Sequence, residues 1–176
     1  MTTYYNINPR FYVSVDCIIF GFDKGSLKLL LLKRNFEPAK GSWSLMGGFV
    51  QDGESVDDAA KRVLAELTGL ENVYMEQVGT FGEVDRDPGE RVISVAYYAL
   101  ININEYDRNL VQQHNAHWAE INEIPPLVFD HSQMVNQARI MLQKKASSEP
   151  IGFNLLPSMF TLFQLQSLYE AIYGEP

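Results

Sequence analysis

The sequence predicts an α+β fold in which a mixed sheet is covered by helices. Two observations carry this. Apolar and aromatic runs of strand length recur along most of the chain, and only two segments among them switch to helical spacing, too few for a doubly wound parallel sheet. A third sets the scale, since 176 residues with 46% hydrophobic and 20% charged content suffice to bury about 70% of the unfolded surface in one core.

The first strand spans Phe11 to Phe22, and the turn Asp23-Lys24-Gly25 leads into a second over Leu27 to Leu32. Asn35 to Ser42 carries Pro38 and Gly41 without a period, the pattern of a loop. Trp43 to Val50 reads as a short strand broken at Gly47-Gly48. From Ser55 the period changes: Val56, Ala59, Ala60, Val63, Leu64 and Leu67 form an amphipathic stripe, with Ser55 and Asp58 as the start and Gly69-Leu70 as the stop. Strands follow over Val73 to Phe81 and Val92 to Ile103, joined by the polar stretch Gly82 to Arg91. A short strand near His117 to Ile121 precedes Pro125-Pro126, and Ser132 to Lys145 has helical spacing through Met134, Val135, Ala138, Met141 and Leu142. The order is β-β-β-α-β-β-β-α. Ala146 to Pro150 reads as a linker, and Thr161 with Gln164 caps a last helix through Leu162, Leu165, Leu168, Tyr169 and Ile172, ending at Gly174-Glu175-Pro176. Its apolar stripe, with Met159, Phe160 and Phe163, needs a cover from this domain or from further chain.

Twenty-two acidic against fourteen basic residues give a net charge of −8, which argues against nucleic-acid binding by these residues themselves. No apolar run approaches the roughly 20 residues of a membrane span, and Met1 to Arg10 are unlike a signal peptide. A cytoplasmic chain without membrane contact is expected. The single cysteine, Cys17, forbids an intrachain disulfide and reads as a buried thiol.

The glycine loop and the first helix belong together. Gly48, five residues, Glu54, seven residues, then Arg62-Val63-Leu64-Ala65-Glu66-Leu67-Thr68-Gly69-Leu70 resembles the Nudix box. That signature ends Arg-Glu-apolar-x-Glu-Glu-x-Gly-apolar, and its glutamates lie on one helix face where they converge on divalent cations. The resemblance implies a Nudix-like α/β/α sandwich. Gly48, Glu54, Arg62, Glu66 and Gly69 match, whereas Val63 and Leu67 stand where two metal-binding glutamates belong. Neither side chain binds magnesium, and Glu66 alone is a poor site. The damaged box implies no catalytic residue, no metal and no cofactor. Glu54 and Arg62 resemble the family's structural pair, an ion pair that holds loop against helix.

Acidic residues outside the box could rebuild a metal site or contact a ligand. Glu83, Asp85, Asp87 and Glu90 share a loop with Arg86 and Arg91, and the bland alternative is a solvated acidic loop. His114 and His117 have HxxH spacing but no third ligand at metal spacing, His131 reads as a local hydrogen-bonding residue, and Trp43 and Trp118 as core or pocket-wall aromatics.

The run Leu29–Asn35, the stretch Trp43–Val50 and above all the ending Phe153-Asn154-Leu155-Leu156-Pro157, Phe160-Thr161-Leu162 and Leu165 to Ala171 resemble the Nudix-related transcriptional regulators, most closely their AraR-type arabinose-responsive repressors. That resemblance implies a Nudix-like effector-sensing domain over residues 1–148. Residues 149–176 are then a linker and the first helix of an incomplete winged-helix DNA-binding domain, so the chain is expected to be a fragment. It also implies a homodimer on a palindromic operator, with DNA contact made by the missing C-terminal part. A diphosphate would bring negative charge to a domain already at −8, so the expected effector is a neutral sugar, L-arabinose or a related pentose. Lys33, Arg34, Glu37, Trp43, Asp85, Arg86 and Glu90 are its candidate contacts. ADP-ribose is the competing effector, favoured by Arg34, Arg86 and Arg91. The alternative activity is a magnesium-dependent Nudix hydrolase of a nucleoside diphosphate derivative, using Glu54, Glu66 and an acid from the Glu83–Glu90 loop.

Overall fold

Residues 4–175 are described by the computed structural model. After a 3-10 turn at Tyr4–Ile7, strands β1 (Tyr12–Asp23) and β2 (Ser26–Lys33) form the expected hairpin. Lys24 and Gly25 both take positive φ, 50° and 80°, the geometry that a two-residue turn between twisted strands demands. Then come β3 (Trp43–Ser44), β4 (Met46–Phe49), α1 (Val56–Thr68), β5 (Tyr74–Phe81), β6 (Val92–Leu100), α2 (Arg108–Gln113), β7 (Ala116–Glu120), α3 (His131–Ser148), α4 (Gly152–Leu155) and α5 (Leu162–Tyr173).

The sheet is mixed, as expected. Its main order is β3-β2-β1-β6-β5, with β7 on β2 and β4 on β1. Strand β1 is the axis: it pairs with β6 in parallel along Tyr12 to Phe20. On its other edge it changes partner, from β4 at residues 14–17 to β2 at residues 20–23. Alternation then sorts its side chains. Val15, Cys17 and Ile19 pack under α1 with Ala59, Ala60, Val63, Leu64 and Leu67. Ile18, Phe20 and Phe22 pack on the opposite face with Met134, Val135, Ala138 and Leu142 of α3. Burial raises the Cys17 thiol above its ordinary range, so it is an inert core group.

Helix α1 has the predicted limits. Ser55 and Asp58 complete a capping box, and Gly69 closes the helix at φ 72°. Elsewhere the structure departs from the expected boundaries. The break in the Trp43–Val50 run falls at Leu45, and Gly47-Gly48 lie inside β4, opposite Asp16 and Val15. The glycines serve close approach there, since a Cβ at Gly47 would sit 2.4 Å from Asp16 Oδ1 and 2.7 Å from the Val15 carbonyl. Helix α2 was not expected, because six residues show no period; Asp107 caps it through the Asn109 and Leu110 amides. Ala146 to Ser148 continue α3 instead of beginning a linker, with Ala146 buried, and α4 follows at once.

Residues beyond 149 share the main core: Ile151, Leu155, Leu156, Leu168 and Ile172 join the α3-side cluster. Thr161 and Gln164 form the expected capping box of α5. Its inner stripe thus folds back onto the sheet, while Met159, Leu162 and Phe163 stay 75–87% exposed.

Candidate functional site

A cleft of about 280 Å³ opens where β1 changes partner. Gly47 and Gly48 form one wall, the 34–38 loop another, and Arg86, Phe129 and His131 close it from the α3 side. Its floor is Asp16, an acid inside an otherwise apolar strand and only 7% exposed.

Six charged or titratable residues line it: Asp16, Arg34, Glu37, Arg86, Asp87 and His131. Arg86 grips Asp130 with a two-pronged fork, Nε donating to Oδ2 at 2.8 Å and Nη2 to Oδ1 at 2.7 Å. The same Nη2 lies 3.7 Å from Asp16 Oδ2, which accepts from Ser94 Oγ at 2.5 Å. Burial pulls the Arg86 guanidinium down, but the Asp130 fork, Asp16 and Asp87 outweigh it and hold it above its ordinary value, so the buried cation stays charged. Arg34 lies at the mouth, its Nε donating to the Pro38 carbonyl at 2.8 Å. Its guanidinium stands 4.2 Å from the Phe36 ring centre and 5.4 Å from that of Phe129.

His131 is not the local residue that its sequence position suggested. Its Nδ1 accepts from the Leu45 amide at 3.0 Å, across 86 positions of chain, and so pins the β3–β4 break to the start of α3. Nε2 then carries the proton and faces Asp16 Oδ1 at 3.6 Å. Burial lowers the His131 pKa against the pull of Asp16 and Asp130. The unfolded chain therefore binds the extra proton more readily, so stability is complete above about pH 6.5 and falls as pH drops toward the lower folded value. Asn places an acceptor where Nδ1 stood, so His131→Asn is expected to flatten the pH dependence of urea midpoints between pH 5 and 7. An unchanged slope would assign that dependence to other groups.

Of the predicted effector contacts, Arg34, Glu37 and Arg86 line the cleft. Lys33, Trp43, Asp85 and Glu90 are not among its lining residues. Strand alternation separates the paired Lys33 and Trp43 from the paired Leu32 and Ser44, which line the cleft, and Arg34 lies just past the end of β2. Lys33 instead lies 5.6 Å above the Trp43 ring, which meets His117 in a T-shaped contact. Asp85 and Glu90 are solvated on the loop, as is Glu83, while Asp87 reaches the cleft. The sequence reading missed Asp16, Asp130 and Phe129. An acid between Val15 and Cys17 was the available signal for the first; the others lack periodicity.

Gly48 of the box lines the cleft, and Glu54 and Arg62 make the expected ion pair at 2.7 Å. Arg62 also donates to the Phe49 carbonyl at 3.1 Å, tying loop to helix. This fork holds the Glu54 carboxyl below its ordinary range. Glu66 is 3.4 Å from Arg62. Val63 and Leu67 are buried in the core beneath α1, with Val63 directly under Gly48. The box thus offers apolar groups where a hard cation needs oxygens, and its residues do not fit a magnesium site. Among the described residues no group of three or more His, Cys, Asp or Glu is placed to hold a metal, His114 and His117 included. No helix among the described residues is long and apolar enough to cross a membrane.

Both the fold and the box define the class: the NUDIX domain family matches residues 10–140, and the chain belongs to it. Residues 152–176 match the NrtR DNA-binding winged helix domain, and with the relatives that follow this makes the chain a Nudix-related transcriptional regulator. The "ADPR responsive transcriptional repressor NtrR" of Acinetobacter baylyi is 35% identical over 170 residues, covering 94% of this chain and 68% of that one. Shewanella oneidensis NrtR, solved with a 27mer DNA, superposes with a TM-score of 0.85 at 33% identity, over 93% of this chain and 77% of that one. The NUDIX domain of the same protein, crystallised with ADP ribose, gives 0.65 at 29% identity, over 80% and 94%. These similarities correct the sequence reading in one respect: they support a regulator of the NrtR kind, not the AraR type, and they lend nothing to a neutral sugar as effector.

Proposed function

We propose that this chain is the effector-sensing part of an NrtR-like repressor, and that its cleft takes ADP-ribose without cleaving it. One observation carries the reading: two guanidinium groups, Arg34 and Arg86, converge on a glycine-walled cleft beside the Nudix loop. Forked donors suit phosphate oxygens and are more than a pentose requires. The net charge of −8 is no measure of the cleft, because exposed carboxylates farther than a Debye length of about 8–10 Å are screened. The lining itself sets Arg34 and Arg86 against Asp16, Glu37 and Asp87, so the support comes from the fork geometry of the two guanidiniums and not from a net positive field. Absence of turnover follows from Val63 and Leu67, which give a metal-activated water nothing to stand on. In this reading the chain works in the cytoplasm as a dimer, and residues 152–176 belong to the winged-helix part that meets a two-fold operator.

At 100-fold excess over its dissociation constant, ADP-ribose should raise stability by about 2.7 kcal/mol, whereas L-arabinose should leave the melting curve in place. Incubation with ADP-ribose and magnesium should release no AMP. A shift with arabinose alone would return the sugar reading, and steady AMP release would make the chain a hydrolase.

A further inference from the structure

Asp130 stands where the preceding loop meets α3. It precedes α3, where an acid normally accepts from first-turn N–H groups, yet no side chain caps this helix. Both oxygens of Asp130 are taken by Arg86. The backbone is also unusual there: Phe129 holds φ 52° without being glycine, and Asp130 sits at φ −97°, ψ 14°. Ser55 and Thr161, which do cap their helices, are extended at ψ 167° and 158°. Helix α3 thus lacks a cap that its own N-terminal residue could supply, because that residue is engaged with Arg86.

We infer that Asp130 is a ligand-displaced carboxylate: the anionic group of the effector takes Arg86 from it, and the released side chain caps α3. This rests on the reading that an anionic effector enters the cleft. The exchange keeps charges paired, since Arg86 trades a carboxylate for phosphate oxygens of the same fork geometry, and Asp130 moves to the positive end of the helix dipole. Turning ψ of Asp130 toward the extended region re-aims the first turn of α3. That motion reaches the winged-helix segment directly, because α3 is an 18-residue rod, about 27 Å long, whose Gln143 Nε2 donates to the Ile172 carbonyl of α5 at 3.0 Å. Tyr173 of α5 donates back to the Gln143 carbonyl at 3.4 Å. The two bonding states of Asp130 are the discrete alternatives that a ligand can bias.

The test uses Asp130→Ser and Asp130→Ala in the full chain, titrated calorimetrically with ADP-ribose and separately with inorganic pyrophosphate. Amide hydrogen exchange is followed at Ser132, the first-turn amide that remains once His131, Gln133 and Met134 donate to the Val128 and Asp130 carbonyls, and near-ultraviolet circular dichroism confirms folding. Both variants should bind about tenfold more tightly than the parent, because Arg86 loses its internal competitor. Saturation should slow first-turn exchange in the parent by about tenfold. In the Ser variant exchange should be slow from the start, in the Ala variant fast throughout, with neither responding to ligand. Weaker binding by folded variants, or parental exchange that ignores bound ligand, overturns the inference. Heat from pyrophosphate but not ADP-ribose would fail the effector reading while leaving the displacement tested; heat from neither overturns both.

Discussion

Arg86→Met is expected to destabilise the protein by about 3–5 kcal/mol, the usual result of removing one partner from a buried ion pair. Arg86 is 3% exposed at its side chain and faces two carboxylates, Asp130 and Asp16, each 10% exposed. Methionine fills the volume but leaves both acids without their cation. Urea unfolding measures the loss, and combination with Asp130→Asn should recover part of it, because the two changes touch one network and are not additive. ADP-ribose binding should vanish in every variant lacking Arg86. A loss within 0.5 kcal/mol would mean that the fork contributes nothing net to folding.

Gly47→Val should cost about 3 kcal/mol, at the upper end of overpacking effects, and close the cleft. Its Cβ would fall 2.4 Å from Asp16 Oδ1 and 2.7 Å from a backbone carbonyl, and β4 cannot retreat without breaking its ladder to β1. Gly48→Ala is the contrast, since its Cβ would meet only the Val63 Cγ2 methyl at 3.0 Å. That variant should be mild and rescued by Val63→Ala. Equal destabilisation at the two glycines would show that their conformational freedom, and not the contact with Asp16, is what matters.

Legibility in the sequence followed the range of the forces involved. The β1–β2 turn and the caps of α1 and α5 depend on residues a few positions apart, and were read correctly. The Nudix box was equally local. What escaped were features made by distant chain. Gly47-Gly48 looked like a strand break because nothing nearby says that Asp16 presses on them. His131 looked local, although its partner is Leu45. Residue type within a loop does not say which way a side chain faces, so Arg34, Glu37 and Arg86 line the cleft while Lys33, Trp43, Asp85 and Glu90 are not among its lining residues. Whole-chain charge is equally blind to position, because the −8 averages over the entire surface and says nothing of the cleft alone.

The parallel pairing of β1 with β6 sets a timetable for biogenesis. Tyr12 waits for Val92, so during translation at about 5–20 residues per second the nascent hairpin spends roughly 4–16 seconds with one flank bare. That flank belongs to a strand of apolar side chains, the kind of edge that recruits stray strands from neighbouring polypeptides. Ribosome-associated holdases, or slow growth temperatures during overexpression, should accordingly govern how much of this regulator reaches its native state.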